Sequence, residues 1–139
     1  MPFADIEAAV KQWGIGNPRV AATVTHDGRT HVYQSMPAAS PIPSLIIQRL
    51  GGAPIGRSEL PVDAARLTFD CWGTTRGQAL TIAQTLVTEL DCLGSMGGYV
   101  LPDVTLTTAV VYSWTWLPDI RTDVARYVVD ATIWALTTV

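Results

Sequence analysis

Charge is the scarcest commodity in this chain. Aspartate, glutamate, lysine and arginine make up only 15% of its 139 residues, against roughly 25% in an ordinary soluble domain. Lysine is almost missing: Lys11 is the single one among nine basic residues, the other eight being arginine. The two cysteines, Cys71 and Cys92, show no CxxC spacing. That excludes a cysteine-clustered zinc site or a disulfide scaffold, and predicts two reduced thiols used for packing. No apolar run approaches the roughly 18 residues needed to cross a bilayer. Residues 1–11 carry Asp5 and Glu7 where a secretory leader is basic and then apolar, so the expectation is a protein that stays in the cytosol of the cell that makes it. A net charge of −3 and a pI near 5.1 remove the electrostatic footprint of a phosphate-backbone binder.

Apolar residues fill the place of the missing charge. They reach 48% of the chain and include five tryptophans, and the mean hydropathy is +0.26. A surface so poor in charge either exposes much apolar area or has neighbouring subunits cover it. We read it as covered, hence a homo-oligomer. The length suits one domain spanning 1–139, with no repeat and no composition shift that would mark a linker.

Periodicity predicts the elements. Residues 2–13 read as a first helix, with Pro2 at its start, Phe3, Ile6, Ala9, Val10 and Trp13 on one side, and Gly14 and Gly16 as its stop. Residues 20–25 and 30–34 read as two strands around His26-Asp27-Gly28-Arg29, because Asp-Gly supplies the positive φ angles of a tight hairpin turn. The Pro- and Ala-rich stretch 35–43 reads as a loop or arm, 44–50 as a strand, and the Gly/Pro-rich 51–63 as a second long loop. In the strand 64–72, Ala65, Leu67, Phe69 and Cys71 point one way and Arg66, Thr68 and Asp70 the other. A long helix capped by Thr74 or Thr75 runs to about residue 93 with Ala79, Ile82, Ala83, Leu86, Leu90 and Leu93 as its stripe. Strands through 99–116 and 124–136 follow. These pieces predict an α+β fold: a mostly antiparallel sheet with two helices packed on one face, plus a β-hairpin and long loops.

A search for chemistry leaves little. His26 and His31 can approach each other across the hairpin, but two imidazoles with only Asp27 nearby make a poor zinc site, and they read as solvated residues near a loop tip. Gly14-Ile15-Gly16 follows a helix, not a strand, and lacks the third glycine of a dinucleotide loop. Gly51-Gly52 and Gly97-Gly98 lack the Lys-Ser/Thr of a phosphate loop. Ser95 lies outside any GxSxG pattern, and Asp103, Asp119, Asp123 and Asp130 are scattered acids. The sequence therefore assigns no catalytic residue, no cofactor and no metal ligand; it reads as a non-enzyme. Tyr112-Ser113-Trp114-Thr115-Trp116 is more informative. Strict alternation puts Tyr112, Trp114 and Trp116 on one face with Val110, as core or as a subunit interface rich in the aromatics such contacts favour.

One family shares this layout. Pro43-Ser44-Leu45-Ile46-Ile47-Gln48-Arg49-Leu50-Gly51-Gly52, then Arg66-Leu67-Thr68-Phe69-Asp70-Cys71-Trp72-Gly73-Thr74-Thr75, then the 79–93 helix, and finally Leu117-Pro118-Asp119 with Ala125-Arg126-Tyr127-Val128-Val129-Asp130 cover about two-thirds of the chain. In order and texture they resemble the tail terminators of long-tailed, siphovirus-type bacteriophages, in particular the group infecting actinobacteria such as mycobacteria. The resemblance implies a small sheet with helices on one side, six copies forming a ring that caps the tail tube, ends its polymerisation and offers a surface for the head. It implies the major tail tube protein and a head-completion or connector protein as partners. It also implies a place in the virion at the head-proximal end of the tail after assembly in the host cytoplasm, and DNA passing through the ring without sequence-specific binding. A head-to-tail connector or head-closure subunit is the alternative, and a small ligand-binding or enzymatic domain a third. The arm 35–43 and the loop 51–63 depart from the family's leaner pattern.

Overall fold

The computed structural model describes residues 3–55, 62–117 and 124–138. It is an α+β fold in which three helices lie against one face of a six-stranded mixed sheet, beside a two-stranded hairpin sheet. One more helix is present than the two expected.

The first helix, α1 (Ile6–Gly16), begins later than expected, because Asp5 caps it by accepting a hydrogen bond from the Ala8 amide at 3.1 Å. Phe3 lies before it and is 43% exposed, while Ile6, Ala9, Val10 and Trp13 are buried as the spacing predicts. Gly14 and Gly16 do not stop the helix but lie inside it; the stop is Asn17. Asn17 also starts α2 (Pro18–Val24), its side chain accepting from the amides of Arg19 and Val20, with Pro18 in the first turn. The expectation of a strand over residues 20–25, as one arm of the Asp-Gly hairpin, is corrected: the Asn-Pro start makes 18–24 a helix, and Val20 and Val24, four apart, bury on one side of it.

The Asp-Gly turn forms as expected, with φ of 53° at Asp27 and 72° at Gly28. Its arms are only two residues each, β1 (Thr25–His26) and β2 (Arg29–Thr30). A further short strand, β3 (Val32–Tyr33), joins the main sheet parallel to β4 (Ser44–Ile55). β4 and β5 (Val62–Gly73) are longer than predicted, pairing antiparallel through most of what read as the loop 51–63; its residues 56–61 lie outside the described ones. Gly52 makes this continuation possible. At φ 92° a Cβ there would sit 2.0 Å from the Ala64 carbonyl oxygen, so the bulged strand passes only as glycine.

The long helix α3 (Arg76–Cys92) is capped by Thr75, whose hydroxyl accepts from the Gln78 amide, while Gln78 Oε1 accepts from the Thr74 amide at 2.7 Å. Its whole predicted stripe is buried. After β6 (Tyr99–Val100), the strands β7 (Val104–Leu117) and β8 (Ala125–Thr137) complete the order β3-β4-β5-β8-β7-β6. The core lies between the helices and the inward rows Leu45, Ile47; Ala65, Leu67, Phe69, Cys71; and Val129, Ala131, Ile133. Full burial of each large side chain contributes about 1.5–3 kcal/mol.

Candidate assembly interface

The aromatic run sits on β7, and β7 is not a regular strand. Its pairing with β8 slips once between Leu106 and Thr108 and again between Val111 and Ser113, each time setting two β7 residues against one on β8. Each bulge reverses the alternation that follows it. Val110 stands opposite Thr132 on the helix-free face, and the Tyr112 hydroxyl donates to Thr132 Oγ1 at 2.8 Å on that same face. Trp114 and Trp116 stand opposite Val129 and Tyr127, on the face that carries the helices. The expectation that Tyr112, Trp114 and Trp116 share one face with Val110 is therefore corrected: the bulge at Tyr112 leaves Tyr112 with Val110 and moves both Trp114 and Trp116 to the helix-bearing face.

The two tryptophans differ in surroundings. Trp116 is half-buried, its ring 5.4 Å from that of Tyr127, with the Arg76 guanidinium 4.9 Å above it. Arg76 Nε also donates to the Tyr127 hydroxyl at 3.3 Å, so this cluster pins the start of α3 to the end of the sheet. Trp114 is 47% exposed and Tyr112 58%. Together with Val111, Ser113 and the α3 residues Val87 and Asp91 they line an open recess. Leu117 is exposed at the strand end, and Pro118 and Asp119 of the expected Leu-Pro-Asp turn lie outside the described residues.

The helix-free face carries residues that the sequence pattern placed there but gave no role. Arg66 holds Asp130 with both ends of its guanidinium, at 3.2 and 2.7 Å. Asp130 holds the guanidinium of Arg66 in its charged form, above the ordinary arginine range. Arg126 reaches Asp70 at 3.7 Å while its guanidinium lies 4.9 Å over Trp72. Partial burial raises the Asp70 carboxyl above its ordinary value, and Arg126 offsets only part of that. These two arginines and two aspartates cancel, leaving Val110, Tyr112, Val128 and Trp134 among neutralised pairs. On the other, helix-bearing face, where Arg49 stands opposite Leu67 and Asp63 opposite Ala135, the nearly buried Asp63 holds Arg49 with both carboxylate oxygens at 2.6 and 2.8 Å. Alternation revealed the side of the strand for Arg66 and Asp70, but their partners come from β8, far along the chain.

The histidines do meet, though not as solvated residues. Their rings stack at 3.8 Å and 19°, and His31 is buried. His31 Nδ1 pairs with the Tyr33 hydroxyl at 2.6 Å and its Nε2 with the His26 carbonyl. His26 Nε2 meets the Pro43 carbonyl at 3.0 Å and its Nδ1 meets Asp27. All four ring nitrogens thus have partners, and one of them, His26 Nε2, ties the hairpin to Pro43 just before β4. Among the described residues no group of three or more His, Cys, Asp or Glu is placed to hold a metal ion, and no helix is long and apolar enough to cross a membrane. The Ser95 hydroxyl donates to the Cys92 carbonyl within its turn.

A helix-backed sheet with an exposed aromatic strand defines an α+β protein. Residues 8–136 match the family model described as tail completion protein gp17, and the chain belongs to that family, a family of structural phage tail proteins. No curated protein sequence matches it. Among solved structures it is similar to a chain in the virion of a native gene transfer agent particle, with a TM-score of 0.66 and 17% identity over 95% of this chain and 93% of that one. At that identity the likeness establishes a shared fold.

Proposed function

We propose that this chain, as one tail-terminator-like domain over 1–139, forms a ring of six that caps the tail tube of a siphovirus-type phage of the actinobacterial group. In this reading it is not an enzyme. It binds the last layer of the major tail tube protein, presents no surface that recruits another layer, and offers its other side to the head-completion or connector protein, with DNA passing through the ring. The virion's head-proximal tail end is its final place, reached after assembly in the host cytoplasm. The observation that carries the reading is the uncharged β7, exposing Val110, Tyr112, Trp114 and Leu117, in a member of a tail completion family. Such a strand suits a protein whose work is done at contacts with other subunits.

Deleting the gene tests it. Normal heads with tails of uncontrolled length are expected. Tails of normal length that fail to join heads would replace the terminator reading with that of a connector, and normal infectious particles would overturn both.

A further inference from the structure

The six-stranded sheet ends in two unlike edges, and both are largely bare. On one side β3 covers β4 only at Leu45 and Ile46. On the other, β6 covers β7 only at Leu106 and Thr105. The turn after α3 shields a little more of β7, since a Cβ on Gly94 or Gly98 would touch Thr108 or the Leu106 carbonyl. Among the described residues, no strand pairs with the outer edge of β7 over 109–117 or with that of β4 over 47–55.

An unpaired edge exposes backbone donors and acceptors, and proteins that remain single guard such edges with charge, proline or covering elements. β7 contains no charged residue and no proline along its whole length, and Val110, Tyr112, Trp114 and Leu117 are exposed on it. The β4 edge is milder. Its one charge, Arg49, is held by Asp63, and Pro54, which has no N–H to donate, limits pairing at its far end.

We propose that the bare edge of β7 pairs, strand to strand, with the bare edge of β4 in a second copy of this chain, so that the sheets of neighbouring subunits run on into one another. Three features fit this partner. Traced across the sheet, Ile47 to Gly52 of β4 and Trp114 to Ala109 of β7 occupy the same rows, those of Val129 to Ile133 on β8, so level copies meet along matching lengths. The short strands β3 and β6 cover opposite ends of the sheet and leave these rows open. β4 and β7 also run in opposite directions through the β4-β5-β8-β7 order, so rotation about a ring axis brings them together antiparallel, as in the rest of the sheet. Pairing of two unlike edges is head-to-tail, the kind of contact that generates a ring where the rotation between copies closes. The recess between Trp114 and Val87 can then receive a side chain from the arriving strand.

This inference rests on the ring reading, and its test separates the two. Val110→Lys and Thr115→Lys place charge at exposed edge positions, with Gln84→Lys on the exposed side of α3 as control. The edge variants are expected to keep the wild-type melting curve, to need at least 10-fold more protein to form rings by native mass, and to lose capping of purified tail tubes; the control is expected to match wild type in all three. In wild-type rings the amides of 109–117 and 47–53 should exchange at least 10-fold more slowly than in the single chain. Rings that form while those amides exchange as in the single chain overturn the edge pairing and leave the ring standing. A chain that stays single in solution and on tubes overturns both.

Discussion

Trp114 and Trp116 lie two residues apart on the same face, yet truncating them should do different things. An indole side chain presents roughly 150–250 Å² of surface. With Trp114 47% exposed, about 100 Å² remains for a partner to cover, worth about 2.5 kcal/mol at ~25 cal/mol per Å². Trp114→Ala is therefore expected to weaken ring formation or tube capping by roughly 60-fold, since each 1.4 kcal/mol is a factor of ten. The loss of its packed half should cost folding only about 1–2 kcal/mol. Trp116→Ala removes the ring lying between Tyr127 and Arg76. Its cost falls on folding, about 2–3 kcal/mol, below the ~3–5 of a fully buried Trp. Thermal unfolding and sedimentation of both variants provide the assay. A Trp114→Ala protein that assembles like wild type shows that its exposed half is not covered by any subunit, and equal melting losses for the two variants refute the distinction drawn from their unequal surroundings.

Asp70→Asn tests the raised carboxyl on the helix-free face. Because the folded state holds the Asp70 proton more tightly than the unfolded chain, its contribution is full below the unfolded pKa and declines as pH rises through the folded one. The variant should match wild type below about pH 4 and equal or exceed it at pH 7. A clear loss of stability at pH 7 would mean that the contact with Arg126 outweighs the burial. Asp63→Ala should cost about 2–3 kcal/mol, less than the ~3–5 of a fully buried pair because Arg49 keeps partial exposure; adding Arg49→Met should restore part of it, and melting of both variants checks this. Thiol counting under denaturing, non-reducing conditions should find two free cysteines, as both are free in the structure. In the folded protein Cys92 should label first, since burial removes Cys71 from solvent and pushes its thiol well up.

Local physics made much of this protein legible in sequence. The stripe of α3, its Thr75 cap, the Asp27-Gly28 turn and the two-sided alternation of β5 depend on neighbours a few residues away, and each formed as the spacing predicts. Even the choice between strand and helix at residues 18–24 was written locally, in Asn17-Pro18, although the Asp-Gly turn suggested a longer hairpin arm. The proposed association surface was only half legible. Composition announced a chain with too little charge for its apolar area, and the aromatic run marked where that area lies. Which face each aromatic occupies was decided by the bulge at Tyr112, a property of the pairing between β7 and β8. The partners of Arg66 and Arg126, the stacking of His26 on His31, and the length left bare on β4 and β7 likewise exist only once distant segments lie side by side. Periodicity along one strand carries no information about the register of the next, and here register puts both tryptophans on the helix-bearing face, where Tyr127 and Arg76 close over Trp116 and leave Trp114 exposed.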